Sequence, residues 1–275
     1  MKRPVIFTDL DGTLLDYFTY SFEKALPALA LLAQKAIPLI ICSSKTKAEI
    51  EYYRKKLGNT HPFVSENGGG IFIPKNYFDL DKTSHSYAIE EEGGYDIIRL
   101  GSRYSDLRNA IKELQREGFQ VRGFGDMRTE ELMMAAGMSF DEAVMARERN
   151  FDEPFLFEGD NKDIYRLLSS ITSRGFNYTK GRFFHILGES DKGKAVSILT
   201  DFYRGNWGDI LTIALGDRSN DLPMLKEVNC PILVQRPDGT YEPRIEAPNL
   251  VRANGIGPEG WNSAVLDLLN TLFKN

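Results

Sequence analysis

Cysteine is almost missing: the 275-residue chain holds two, Cys42 and Cys230, each inside an apolar run and neither with a short-range partner. That spacing excludes a disulfide framework and a thiolate zinc site, and reads as buried thiols in a reducing compartment. The three histidines, His61, His85 and His185, show no metal-ligand spacing and read as incidental. There is no basic excess: 34 Lys and Arg face 39 Asp and Glu, a formal net charge of −5, which argues against a nucleic-acid partner. Long apolar runs are lacking too. The most apolar stretch, residues 25–42, is broken by Gln34 and Lys35 and carries Pro27 and Pro38, so it cannot span a bilayer. The apolar stretch at residues 4–7 is too short for a signal peptide. A cytoplasmic protein with no membrane contact and no obligate protein partner is expected. What remains, 42% hydrophobic and 27% charged residues without repeats or low-complexity linkers, is an ordinary globular composition.

Local patterns order the chain. Residues 5–8 form a short apolar run ending in an Asp/Gly turn, a buried strand by its pattern. Residues 23–36 have helical spacing, with Pro27 tolerable near the first turn. Residues 38–42 read as a second strand. Thr46 and Glu49 form a capping box opening a helix that Gly58 ends, and residues 63–65 give a third strand. This alternation implies parallel pairing in an open sheet. From about residue 81 to 188 the rhythm changes to β-like runs mixed with helices, including a hairpin turn at 179–182 and a second capping box at Ser139 and Glu142. The strand–helix alternation returns at 192–234 and closes with a helix at about 260–273. The expected architecture is α/β: an open parallel-sheet, Rossmann-like core built from residues 1–80 and 189–275, with an α+β domain of residues 81–188 inserted.

Chemistry concentrates just past two predicted strands. Asp9-Leu10-Asp11-Gly12-Thr13 follows the first, and ligands of open α/β sheets bind at the carboxyl ends of strands. Two aspartates at i and i+2 on such a turn can divide two roles: Asp9 attacks phosphorus and Asp11 serves as general acid and base. Gly216-Asp217-Arg218-Ser219-Asn220-Asp221 follows a later strand, and its carboxylates beside the first pair would complete a Mg²⁺ site. Without that cation a dianionic phosphate would be repelled by the aspartates. An Asx turn and a helix cap explain either motif singly; their joint occurrence at strand ends favours chemistry.

These motifs, with a serine after the second strand and a lysine before a later helix, resemble those of the haloacid dehalogenase-like hydrolases. The resemblance implies that Asp9 is the nucleophile and Asp11 the acid/base. It further implies that Ser43 hydrogen-bonds the phosphoryl group and Lys192 neutralises its charge. Asp217 becomes a metal ligand supported by Asn220 and Asp221, and Mg²⁺ also takes the Asp9 carboxylate and the Asp11 main-chain carbonyl. The 81–188 insertion then corresponds to a cap. The segments 42–58, 62–74, 123–155 and 181–196 resemble more closely the mannosyl-3-phosphoglycerate phosphatases, with Gly70 standing where a larger residue is expected. That resemblance implies hydrolysis of mannosyl-3-phosphoglycerate to mannosylglycerate, a compatible solute, and a small phosphorylated glycoside as the partner molecule.

Specificity is expected from the rim. Ser44, Lys45 and Asn67 flank the site, and the polar, flexible loop 123–128 brings Asp126 and Arg128, the latter a candidate partner for the glycerate carboxylate. Arg147 and Arg149 read as a solvated helix face. The rival readings are a phosphatase of broader sugar-phosphate specificity that includes glucosyl-3-phosphoglycerate, a phosphosugar mutase and a non-catalytic sugar-phosphate sensor. A carbon–halogen hydrolase would not need Asp11.

Overall fold

The computed structural model describes residues 2–79 and 87–273. The first apolar run forms β1 (Arg3–Thr8), and a short 3-10 turn then leads into α1 (Leu26–Gln34), where Pro27 sits in the first turn. There a missing N–H breaks no helical hydrogen bond. After β2 (Leu39–Cys42), α2 (Lys47–Leu57) opens on the expected capping box: the Glu49 N–H donates to Thr46 Oγ1 at 3.2 Å and the Thr46 N–H to Glu49 Oε2 at 2.9 Å. Gly58 ends it in the left-handed region. The chain continues through β3 (Phe63–Ser65), β4 (Gly70–Pro74), β5 (Ile89–Glu92) and β6 (Tyr95–Arg99). Next come α3 (Tyr104–Arg116), β7 (Val121–Gly123), α4 (Thr129–Ala136), α5 (Phe140–Ala146) and β8 (Asp152–Phe157). They are followed by α6 (Asn161–Ser173), β9 (Asn177–Lys180) and β10 (Phe184–Leu187). The last part holds α7 (Lys192–Trp207), β11 (Ile210–Gly216), α8 (Leu222–Lys226), β12 (Cys230–Gln235), β13 (Val251–Ile256) and α9 (Pro258–Phe273).

Among the described residues the strands form two sheets. The larger runs β13-β12-β11-β1-β2-β3-β4-β6-β5, parallel from β13 to β3 and antiparallel beyond. Strand alternation divides its apolar residues between two faces. Ile6 and Ile41 point into a core shared with α1 and α9 through Ala28, Leu32, Trp261, Val265 and Leu269. Val5, Phe7 and Ile40 point into the opposite core, shared with α7 through Ala195, Val196, Leu199 and Tyr203. Each such side chain contributes roughly 1.5–3 kcal/mol by leaving water, so the central strands are anchored from both sides. The smaller sheet, β7-β8-β10-β9, is antiparallel and buries Phe155 and Ile186 against Leu107, Ile111 and Leu114 of α3 and Leu167 and Ile171 of α6. The architecture is an open α/β core sheet carrying an inserted α+β cap.

Sheet membership differs from the sequence reading at one border. The expected start of the insertion, residue 81, lies outside the described residues, but β5 and β6, assigned to the insertion, pair with β4 in the larger sheet. Their runs are too short to carry a pairing preference, and the hairpin partner that β4 offers decides where they go. Strand β13, which sequence reading leaves out, extends the other end of the sheet beside β12. Gly70 has a packing cause: a Cβ there would lie 2.5 Å from Phe151 Cε2 and 2.9 Å from Phe72 Cε2.

Candidate active site

Strand β1 is central in the larger sheet, flanked by β11 on one side and β2 on the other. The connections leave it in opposite directions, so the carboxyl ends of these three strands open a crevice where loops from both sides meet. Asp9 leaves the end of β1, Asp217 the end of β11 and Ser43 the end of β2. Residues 9 and 217 meet because their strands are in register, with Thr8 beside Leu215 and the Asp9 N–H donating to the Leu215 carbonyl at 3.0 Å. Gly12 makes this approach possible: its φ is +83°, and a Cβ would stand 2.8 Å from Asp217 Oδ2.

Lys192, the first residue of α7, is fully buried and donates to Asp9 Oδ1 and Asp221 Oδ1, both at 2.6 Å. The Asp221 Oδ2 accepts the N–H groups of Asp217 and Arg218, each at 3.0 Å. Thr13 Oγ1 donates to Asp217 Oδ1 at 3.2 Å, and Arg218 Nε stands 3.3 Å from Asp217 Oδ2. One carboxylate oxygen each from Asp9, Asp217 and Asp221 lies within 4.8 Å of the others. Burial pushes the Asp9 carboxyl up to about 7; Lys192 opposes that rise and the neighbouring Asp221 adds to it. Burial, then Asp221 and Asp9, raise Asp217 well above the carboxylate range. Burial works against charge on Lys192 too, but Asp221 and Asp9 outweigh it and hold the ammonium protonated. Three carboxyl groups thus face one ammonium and one guanidinium in a dry corner that disfavours their ionisation. Asp217 Oδ2 is moreover buried without a hydrogen bond. A hard divalent cation fits such a corner, with Asp9, Asp217 and Asp221 as the carboxylates available to it.

Asp11 faces away from this cluster. Its Oδ2 lies 3.2 Å from Lys45 Nζ, which also reaches Glu49 Oε1 at 3.1 Å. The Asp11 side chain keeps 30% exposure, enough to exchange a proton with solvent. Burial raises its pKa and Lys45 opposes the rise. A carboxyl whose hold on its proton is strengthened suits general-acid work.

The other expected site residues divide sharply. Ser43 is buried on the β2 end, its main chain tied to Val64 and Asn67 and its Oγ accepting the Lys45 N–H at 3.3 Å. Ser44 and Lys45 line a small chamber with Asp11. Lys45 is only 6% exposed and neutralises Asp11 and Glu49, so its charge is spent inside the protein. Asn67 and Asn220 line a second chamber with Lys192, and the Asn220 amide donates to Asn67 Oδ1 at 3.1 Å. Asp126 and Arg128 lie away from both chambers. Asp126 is bonded to Arg108, to Gln115 at 2.9 Å and to the Gly123 N–H at 2.9 Å. Arg128 is 79% exposed and pairs with Glu131. Phe124 and Met127 of the same loop are buried in a small apolar cluster with α4 and α5.

Two further readings are corrected. Arg149 lies beyond the end of α5 and is buried, bonded to the Asp152 carboxylate and carbonyl and, at 2.7 Å, to the Ser44 carbonyl. His185 is buried with Nδ1 2.9 Å from Asp152 Oδ2, whereas His61 meets Tyr77 far from these groups in the fold; His85 lies outside the described residues. Sequence reading missed Glu66, whose carboxylate accepts the N–H groups of Asn150, Phe151 and Asp152 at 2.7–3.1 Å. It also missed Glu49, for which the i,i+4 spacing from Lys45 is a readable signal.

Comparison with known proteins gives one family. A model described as haloacid dehalogenase-like hydrolase matches residues 6–238. A glucosyl-3-phosphoglycerate/mannosyl-3-phosphoglycerate phosphatase of Methanococcoides burtonii is 47% identical over 97% of this chain and 97% of its own. A protein of the same name from Persephonella marina is 42% identical over 98% of each. Among solved structures, BT1666 of Bacteroides thetaiotaomicron, a phosphatase of the haloalkanoate superfamily, superposes with a TM-score of 0.66 at 16% identity. The match covers 98% of this chain and 95% of that one.

Proposed function

The chain belongs to the haloacid dehalogenase-like hydrolases, and we propose that it is a Mg²⁺-dependent phosphatase that removes phosphate from mannosyl-3-phosphoglycerate and from its glucosyl counterpart. The site geometry that supports this reading is the bridge from Lys192 to Asp9 and Asp221, with Asp217 beside them and Asp11 turned to the other side. The similarity of the two phosphoglycerate phosphatases along nearly the whole chain supports the substrate, and their names cover both sugars.

In this mechanism the free carboxylate oxygen of Asp9 attacks phosphorus in line, forming an aspartyl-phosphate as the bond to the glycerate oxygen breaks. Asp11 hands its proton to that departing oxygen. Asp11 then takes a proton from a water that attacks the same phosphorus, releasing phosphate and restoring Asp9. Lys192 holds Asp9 in the attacking orientation, and Ser43 at the β2 end donates to an equatorial oxygen. Asp9, Asp217 and the Asp11 main-chain carbonyl, with Asn220 and Asp221 in support, would hold the Mg²⁺, which would supply the positive charge that a phosphate dianion needs in this corner. The test is phosphate release from mannosyl-3-phosphoglycerate, glucosyl-3-phosphoglycerate and simple hexose phosphates. Both glycosyl-phosphoglycerates are expected to exceed the hexose phosphates in kcat/KM by about 100-fold. Comparable values for all would favour the broader phosphatase, and phosphohexose product without free phosphate would make the chain a mutase.

A further inference from the structure

Behind Asp11, between core and cap, lies a chamber of about 40 Å³ lined by Asp11, Tyr20, Lys45, Arg149, Arg182 and His185 among others. It is on the acid/base side, where a leaving group must sit. Most of its cations are already neutralised. Lys45 is held by Asp11 and Glu49, while Arg149 is held by Asp152 and Glu66. Arg182 differs. It sits in the turn between β9 and β10, where its Nη1 donates to the Tyr20 hydroxyl at 2.9 Å, and its guanidinium lies over the rings of Tyr17 and Phe183 at 5.5 and 5.6 Å. It has no carboxylate partner among the described residues. A guanidinium offers five N–H donors in a planar fork that matches a carboxylate, and the Tyr20 hydrogen bond and the two neighbouring rings restrain this otherwise exposed side chain.

We infer that Arg182 is a specificity-determining residue that pairs with a carboxylate carried by the leaving group, beside the oxygen that Asp11 protonates. The inference rests on the phosphatase reading above and assigns the anion-reading role to this cap hairpin, since Arg128 lies elsewhere on the surface. Tyr17 and Tyr20 belong to the loop that follows the Asp9 motif, so the contact of Arg182 with them also sets the distance between hairpin and acid. Its charge lies close enough to Asp11 to oppose the rise in that carboxyl's pKa. A substrate carboxylate would draw on the same charge.

The experiment compares a glycosyl-3-phosphoglycerate with the matched glycosylglycerol 3-phosphate, which lacks only the carboxylate. Both are assayed with the wild-type chain and with Arg182→Ala and Arg182→Lys. The wild type should prefer the acid, and Arg182→Ala should lower that preference by about 10–100-fold, mainly through KM. Arg182→Lys, with charge but no fork, should retain part of it. Equal losses on both substrates, or an unchanged preference, would overturn the assignment. A wild type that handles both substrates alike also overturns it while leaving the phosphatase reading standing; one that releases phosphate from neither removes both.

Discussion

Two buried clusters of charge lie close together at the junction of core and cap, and they are in opposite states. At the β1–β11 corner, Asp9, Asp217 and Asp221 face the Lys192 ammonium, with Arg218 alongside, and one Asp217 oxygen makes no hydrogen bond. At the junction, Glu66, Arg149, Asp152, His185 and Asn67 are equally buried, but every carboxylate is saturated. Glu66 takes three successive N–H groups, and Asp152 takes Arg149, His185 and the Asn67 amide. Burying charge is costly in both places, and only the second offsets the cost with its own partners. The difference separates the roles. A saturated cluster can only hold the smaller sheet in place, whereas an unsaturated one is stable only with something that binds there.

The comparison breaks most visibly at Asp9. Asp9→Asn should lower turnover by at least about 10⁴-fold, because no other carboxylate faces the phosphorus from that side. Thermal melts of the metal-free protein should show its stability unchanged or raised, since a repelling charge is gone. Asp11→Asn should cost about 10²–10⁴-fold in turnover, as expected of a proton donor. Normal hydrolysis by either variant would remove the proposed mechanism. At the junction the order of effects reverses. Arg149→Met should cost about 3–5 kcal/mol in denaturant unfolding by leaving Asp152 and Glu66 uncompensated, with a smaller change in turnover than Asp11→Asn. A variant as stable as the parent would mean that this cluster is not the joint described.

The smallest effect sharpens the contrast through pH. The folded pKa of Asp9, about 7, lies above its ordinary 3.8, so this carboxyl favours the folded state fully below about pH 4. Without metal, that contribution is lost as pH rises through about 7, when the Asp9 charge is forced into the corner. Mg²⁺ should therefore raise the melting temperature by a few degrees at about pH 8 and by less at about pH 5.5, where protons compete for the same oxygens. Equal shifts at both pH values would separate the cation from Asp9.

Legibility in the sequence followed the range of the interactions. The Asp9–Asp11 turn, the 216–221 turn and the capping boxes at Thr46 and Ser139 are made by residues within a few positions of one another, so their signatures survive in linear order. Even the meeting of Asp9 with Asp217 follows once both are placed at the ends of parallel strands. Arg149 was misread because its helical surroundings are charged, and what buries it, Ser44 and Glu66, is contributed by loops of the larger sheet. The burial of Phe124 and Met127, in the loop that carries Asp126 and Arg128, is illegible for a related reason: it arises only when α4 and α5 pack on them.

Local turn and strand chemistry, carried by neighbouring side chains, let the sequence alone place Asp9, Asp11, Asp217 and Asp221 on two turns at strand ends. Tertiary packing alone decided which charges are neutralised. That depends on pairs such as Lys45 with Asp11 and Arg149 with Glu66, which come together only when the cap settles on the core or loops of different strands converge, and the same packing leaves Arg182 with a tyrosine hydroxyl and no carboxylate among the described residues. A charge has no preferred partner until the fold sets its distance and dielectric, so its sign can be read in advance but its balance cannot.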